Sequence, residues 1–283
     1  MALKGVQQFQ LRNEFKNPQM ALATLKEVKE AGFDGIELDA FLINRLPLSI
    51  RLMAKAAGMT IGSSKKINWV SLIKESGLKV IALHEDLNSV LNKPDEIKKL
   101  ADSFATKFIV ITGVRNLDYS SKIEVEKLIS DLNNAGRLMK ERNLELLYHN
   151  HNCELIVCGE KKAYDLIIDK TDPSFVNFEF DSYWMAEAGK NPLEYMKILG
   201  KRMRLYHIND RGTRIKGKVN SIVKSDSVEL GYGNLDLIGF IKQAEENQVE
   251  AIILESHQNW VEKSALTSMK QSSVFLNENV KKN

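Results

Sequence analysis

Short apolar runs alternate with longer amphipathic ones along the whole chain. Eight runs, near 6–11, 35–39, 79–85, 107–113, 144–151, 176–183, 204–209 and 250–256, are short and mostly apolar, as strands buried on both faces are. Helical spacing fills the gaps, near 18–31, 48–57, 68–76, 94–105, 121–142, 163–170, 192–201 and 234–248, and once more near 264–279. In the 121–142 segment Ile123, Val125, Leu128, Ile129, Leu132, Ala135 and Leu138 form the apolar face. Asn17-Pro18 and Asn191-Pro192 each put a capping side chain before a proline at the first helical position. Gly32 and Gly77 follow helices, where a left-handed residue is wanted.

Strict strand–helix alternation predicts a parallel sheet with right-handed crossovers. Eight units favour closure into a single (β/α)8 TIM barrel of α/β class, one domain over 1–283. A doubly wound open sheet is the competitor. No Gly-x-Gly-x-x-Gly follows the first strand, which disfavours its dinucleotide-binding form. Two insertions, 40–67 and 211–233, are expected to lie over the active rim, the second as a long polar loop.

The polar residues then change the picture. All five histidines, His84, His149, His151, His207 and His257, fall where a predicted strand ends, as do Asp181 and Glu255. A closed barrel gathers its strand ends at one rim, where such enzymes work. Residues two apart share a face, which pairs His149 with His151, Glu37 with Asp39, Glu179 with Asp181, His207 with Asn209, Glu255 with His257 and His84 with Asp86. Buried polar groups in such places must be hydrogen-bonded or bound to something. The pattern points to one metal-competent site assembled from distant segments.

Composition narrows the class. A net charge of +3, from 40 basic and 37 acidic residues, gives no support for a nucleic-acid groove. The Lys-rich stretches 96–107 and 214–224 read as solvated faces. Cys153 and Cys158 read as free thiols of a reducing cytoplasm. The chain enters a strand almost at once, so no signal peptide is expected, and no apolar run suits a membrane span.

Taken in order, the motifs resemble the xylose-isomerase-like barrels, the sugar phosphate isomerases/epimerases. They are Gly5-Val-Gln-Gln-Phe-Gln-Leu-Arg12, Gly32-Phe-Asp-Gly-Ile-Glu-Leu38, Gly77-Leu-Lys-Val-Ile-Ala-Leu-His84, Tyr148-His-Asn-His-Asn-Cys-Glu154, Phe178-Glu-Phe-Asp-Ser-Tyr-Trp184, Ala188-Gly-Lys-Asn-Pro192, Tyr206-His-Ile-Asn-Asp-Arg211, Glu229-Leu-Gly-Tyr-Gly-Asn-Leu-Asp236 and Ile252-Ile-Leu-Glu255. The resemblance implies one divalent metal ion held by residues ending strands five to eight: His149, Asp181, His207 and Glu255. Epimerases of the group commonly carry glutamate at the strand-five position; a subset with the Tyr-His-Asn-His signature carries histidine, as here. Two imidazoles and two carboxylates suit Mn, Zn, Co or Fe better than Mg.

The resemblance also implies chemistry: a ketone and its neighbouring hydroxyl on a metal acidify the carbon between them, and a base moves the proton through an enediolate. Returning the proton elsewhere makes an isomerase or epimerase of a ketose, keto-sugar or sugar phosphate. Losing a β-substituent makes a lyase, of the inosose-dehydratase kind, on a keto-sugar, keto-glycoside or cyclitol. His151, with Glu255 and His149, is the candidate catalytic set, since imidazole titrates near neutrality. Glu37, His84, Glu154, Trp184, Arg211 and His257 are candidate substrate contacts. Glu37 and Glu154 have orientation of a substrate hydroxyl or a histidine, or a salt bridge to a rim lysine or arginine, as alternatives. Tyr183 and Trp184 read as an apolar wall for a sugar ring or as core packing, and Trp69 and Trp260 are equally open. Glu179 reads as deeper structural pairing, and Gly231-Tyr-Gly233 as a turn rather than an anion site. A nuclease of the endonuclease IV type needs Asp-x-x-His after strand six, where this chain has Asp181-Ser-Tyr-Trp184. A non-catalytic sugar-binding protein is the remaining class. A small-molecule carbohydrate partner is expected, with homo-oligomerisation open.

Overall fold

In the computed structural model, which describes residues 2–43, 67–114, 116–215 and 223–281, eight parallel strands close into a barrel. They are β1 Leu3–Gln7, β2 Gly35–Asp39, β3 Lys79–Glu85, β4 Phe108–Thr112, β5 Glu145–His149, β6 Val176–Asp181, β7 Met203–Ile208 and β8 Ala251–Leu254. β1 pairs with β8 as well as with β2, which closes the cylinder. The main helices are α1 Pro18–Glu30, α2 Trp69–Ser76, α3 Pro94–Ser103, α4 Lys122–Lys140, α5 Ala163–Lys170, α6 Pro192–Leu199, α7 Leu237–Asn247 and α8 Ala265–Asn279. The helix expected near 48–57 and most of the 40–67 insertion lie outside the described residues.

Local chemistry explains the boundaries. Asn17 and Asn191 accept backbone N–H bonds from Met20 and Leu193, each ahead of a proline at the helix start. Gly77 ends α2 at φ +71°, a left-handed turn that a side chain would strain. Several strand ends differ from the sequence expectation, β8 among them, which stops at Leu254 instead of 256. The first strand lies at Leu3–Gln7 instead of 6–11, because the Gln7 side chain accepts from the Phe9 N–H (2.5 Å) and starts a 3-10 turn, Gln8–Leu11. β6 stops at Asp181, whose carboxylate caps the short helix Ser182–Glu187 through the Trp184 N–H at 2.9 Å. β5 stops at His149, since the Asn150 side chain bonds both N–H and C=O of Asp181 at 3.0 Å. On α4, Ile123 is exposed and Met139 is buried, so the core face sits slightly off the expected stripe.

The 211–233 insertion is ordered where described. Asp210–Gly212 pairs antiparallel with Asp226–Val228 instead of forming an irregular loop. The buried Asp210 carboxylate takes the backbone N–H groups of Gly231, Gly233 and Leu235 at 2.9–3.2 Å. Those amides are therefore satisfied internally, as a turn.

The large apolar core lies between strands and helices. A smaller cluster, including Ile81, Phe108, Val110, Leu147, Leu205 and Ile253, fills the barrel itself. Gly5 belongs to this filling: a Cβ there would collide with Ile81 Cδ1 and stand 3.0 Å from Ile253. Above this apolar floor the inward positions become polar.

Two register shifts decide which polar groups point in. The β2–β3 pairing slips between Ile36/Val80 and Leu38/Leu83, which places one extra residue in β3. A bulge reverses the inward parity beyond it, so His84 faces the barrel interior. Asp86, expected on the same face, is exposed and caps the helix Leu87–Asn92. The β6–β7 pairing slips in the same way, and sets Glu179 and Asp181 opposite Leu205 and His207.

Candidate metal centre

Each of the last four barrel strands delivers one group to a common point. His149 ends β5, Asp181 ends β6, His207 lies one residue from the end of β7 and Glu255 directly follows β8. One donor atom from each lies within 4.8 Å of all the others, and all four residues are buried. The His149 and His207 rings meet edge to face at 4.7 Å. His207 Nδ1 stands 2.9 Å from Glu255 Oε2, and the Glu255 N–H is pinned to the Ile208 carbonyl at 3.2 Å.

A second tier lies beneath. Glu179 Oε2 contacts His149 Nδ1 at 3.1 Å, His84 Nε2 at 3.2 Å and His207 Nε2 at 3.3 Å. Glu37 Oε2 contacts His207 Nε2 at 2.7 Å and His84 Nε2 at 2.8 Å. Both carboxylates are fully buried. Glu37 thus meets histidines, not a rim lysine or arginine. Glu179 is the deeper pairing group, and it touches three imidazoles at once. Such carboxylate–imidazole contacts fix ring orientation and raise the basicity of the other nitrogen.

The electrostatics are those of a crowded, dry site. Burial alone would hold His84 and His207 neutral, but the carboxylates of Glu37 and Glu179 outweigh it and push both imidazoles well above their ordinary range. Burial would raise Glu255, yet His257 and His207 hold it well below, so it is ionised. Burial lifts Asp181 to about 6 against the pull of His149 and His207. His151 goes the other way: burial, then the neighbouring His149, press it down to about 3, so it is a neutral imidazole at physiological pH.

The other candidates separate into rim and frame. His151 lies two residues past β5, yet its ring reaches to 4.9 Å from His149 and 5.8 Å from Trp184. Trp184 and His257 stand 5.5 Å apart, with Phe9 a further 6.0 Å from His257. Trp184 therefore lines the rim, whereas Tyr183 and Trp69 are buried, Trp69 against Phe15. Glu154 is fully buried below the rim and accepts from Tyr148 Oη, the His151 N–H and Cys153 Sγ. Arg211 donates to the Ala186 carbonyl (3.1 Å) and Glu187 (3.3 Å), so it braces the helix after β6. Cys153 and Cys158 are free.

Some groups near the site were not picked out from sequence. Asp39, raised to about 6 by burial, faces His84 Nδ1 at 3.8 Å and Gln7 at 3.3 Å. Arg12 stacks on Phe9 at 4.1 Å, and its charge is felt by Asp39 and Glu255. The Gly5–Arg12 motif contains Arg12, and Asp39 shares a face with Glu37, so both had a sequence signal.

Comparison with known proteins agrees with the barrel fold. A family model for the xylose isomerase-like TIM barrel matches residues 25–278. The chain belongs to that family. Among curated members, an inosose dehydratase of Clostridium perfringens is 26% identical over 252 residues, covering 81% of this chain and 80% of that protein. Among solved structures, a sugar phosphate isomerase/epimerase from Parabacteroides distasonis superposes with a TM-score of 0.77 at 17% identity, over 98% of this chain and 94% of the other. The IolI protein, solved with a bound zinc atom, gives 0.68 at 14% identity over 98% of each chain. These structures share the fold. No helix among the described residues is long and apolar enough to cross a membrane.

Proposed function

We propose that the chain is a divalent-metal-dependent enzyme that moves a proton on the carbon beside a carbonyl of a small carbohydrate, as an isomerase or epimerase of a ketose, keto-sugar or sugar phosphate. One observation carries this: donors from four strand ends, spread over more than 100 residues of chain, lie within 4.8 Å of one another. The donor set fits the ion. Two nitrogens and two carboxylate oxygens, all buried, match Mn, Zn, Co or Fe better than Mg. His149, Asp181, His207 and Glu255 would hold it. When bound, a divalent ion supplies Lewis acidity, which lowers the barrier to removing a proton next to a polarised carbonyl.

The chain's own residues do the rest. Glu255 is ionised and accepts or returns a proton. His151, pressed by burial and His149 to about 3 instead of titrating near neutrality as expected, stays a neutral, weakly basic imidazole beside His149. It serves as the second proton-transfer group only by passing a proton on, not by holding it. Trp184 and His257 wall the rim against water and offer an apolar face to a sugar ring. Glu37 and His84 support His207 from below instead of meeting substrate. The two free thiols support a cytoplasmic setting.

A second outcome has its own support. The strand-five position holds His149, so the site lacks one of the two carboxylates of an epimerase pair, and a curated relative spanning most of the chain is an inosose dehydratase. The same proton abstraction followed by loss of a β-hydroxyl is dehydration of a keto-sugar, keto-glycoside or cyclitol.

The experiment incubates protein loaded with Mn(II) or Co(II) in D2O with ketoses, inososes and 3-keto-glycosides, followed by NMR. Deuterium is expected at the carbon beside the carbonyl, with an inverted centre or a new double bond as product. Bound metal with neither exchange nor product on the whole panel would overturn the proposal and leave a sugar-binding protein.

A further inference from the structure

Under the rim set lies a group of four donors drawn from other strands: Glu37 from β2, His84 from β3, Glu179 from β6 and His207 from β7. The His84 and His207 rings are stacked, 5.9 Å apart and 13° from parallel, so both Nε2 atoms face the same two oxygens. The contacts close into a ring of alternating oxygen and nitrogen. Its edges are Glu37 Oε2 to His84 Nε2 at 2.8 Å, His84 Nε2 to Glu179 Oε2 at 3.2 Å, Glu179 Oε2 to His207 Nε2 at 3.3 Å, and His207 Nε2 to Glu37 Oε2 at 2.7 Å.

Hydrogen bonds alone serve this ring poorly. An imidazole nitrogen carries at most one hydrogen, directed in the ring plane. Each Nε2 here lies close to two oxygens. His84 Nε2 is buried and, despite both short contacts, makes no properly directed hydrogen bond. Glu37 Oε1 and Glu179 Oε1 are buried without any partner. A central cation satisfies all four donors together. Around an ion with bonds of about 2.0–2.2 Å, tetrahedral donors stand roughly 3.3–3.6 Å apart. The longer two ring edges already approach that spacing, and the shorter two open to it with a shift of well under an ångström per atom. The two carboxylates offset the charge of a dication, as a fully buried site requires, and a bridging His207 imidazolate shares its negative charge between the two ions.

We propose that this ring is a second divalent-cation site of N2O2 type, suited to zinc or cobalt, and that His207 bridges the two sites as an imidazolate, its ring N–H proton passing to solvent when the second ion binds. Its Nδ1 faces Glu255 in the rim set and its Nε2 faces the ring. The inference rests on the metal reading above only in that the rim set takes its ion through His207 Nδ1. The deeper ion is structural. It fixes His207 directly, and it fixes His149 through Glu179 Oε2, which also contacts His149 Nδ1. Two of the four rim donors are then positioned by an ion that substrate never meets.

The test titrates chelator-stripped protein with Co(II), with elemental analysis and anomalous diffraction at the cobalt edge. Two ions per chain are expected, one of them between Glu37, His84, Glu179 and His207. In Glu37→Gln combined with His84→Ala the content should fall from two to one, with the rim ion kept. One ion in the wild type, at the rim only, would overturn the second site and leave the proposed function intact. No ion at either place would overturn both. Two ions retained in the double variant would overturn the ligand assignment. If that variant fails to fold, the wild-type diffraction decides alone.

Discussion

Replacing Glu154 with glutamine separates two tasks a carboxylate near the rim can perform: touching substrate, or holding His151. Glu154 is fully buried. Oε1 accepts from Tyr148 Oη at 2.9 Å, and Oε2 accepts from the His151 N–H at 3.0 Å and from Cys153 Sγ at 3.2 Å. An amide keeps one acceptor oxygen. With that oxygen on Tyr148, the new NH2 faces the His151 N–H and the thiol, donor against donor; turned over, it keeps the His151 N–H but loses the Tyr148 O–H as a donor and the charge on every bond. A hydrogen bond to a charged group is worth about 1.5–3 kcal/mol, and a buried donor left unpaired adds to the loss. We expect Glu154→Gln to destabilise the fold by about 3 kcal/mol. At about 2 °C per kcal/mol for a chain of this size, Tm falls by roughly 6 °C. The same change frees the backbone that aims His151, and misplacement by an ångström costs on the order of 100-fold in rate. Calorimetry, elemental analysis and steady-state kinetics on a substrate found in the D2O screen check this together. The expectation is a lower Tm, unchanged rim metal, kcat down roughly 100-fold and KM within about threefold. A raised KM with kcat intact would refute the reasoning and place Glu154 against substrate.

Other outcomes follow from the same structure. Asp181→Ala with His207→Ala should reduce bound divalent metal to background in protein purified without chelator; metal retained at the wild-type level would contradict the rim assignment. Burial, with Asp86 beside it, lifts Glu85 from 4.5 to about 7. The folded chain therefore binds this proton more tightly than the unfolded chain. The stability it lends is complete below about pH 4.5 and is lost as pH rises through 7, a span on the order of 3 kcal/mol. Glu85→Gln should flatten that decline, with a smaller Tm difference between pH 5 and pH 8; an unchanged difference would exclude Glu85 as its source. Gly5→Ala drives a methyl into Ile81 and Ile253 inside the barrel, and should destabilise by about 1–3 kcal/mol in urea melts. A neutral result would mean that Ile81 swings aside freely.

The alternation of apolar runs and amphipathic helices was enough to state the barrel, because eight βα units leave few ways to bury both faces of every strand. The rim set was legible for a related reason: closure gathers strand ends, and imidazoles and acids buried there must pair with one another or hold an ion. Strand ends were misjudged where a side chain takes over the backbone. Gln7, Asn150 and Asp181 each divert an N–H or carbonyl from the ladder, which hydrophobic pattern does not register.

Parity within a strand was a tertiary decision. Counting by twos from the sequence puts His84 with Asp86, whereas the slip earlier in β3 turns His84 inward and the strand ends at Glu85, so Asp86 caps a helix. A histidine partner for Glu37 and a deeper pairing for Glu179 were open in the sequence, but not that Glu37 meets two imidazoles and Glu179 three. Two of those contacts, Glu37 to His207 and Glu179 to His84, cross the barrel between strands that do not pair, and their distances exist only once the sheet has closed. Sequence determined which chemical groups this protein possesses and toward which end of the barrel they gather. Closure and two one-residue slips decided which nitrogen meets which oxygen, because side-chain direction reverses with every residue and a single insertion inverts it.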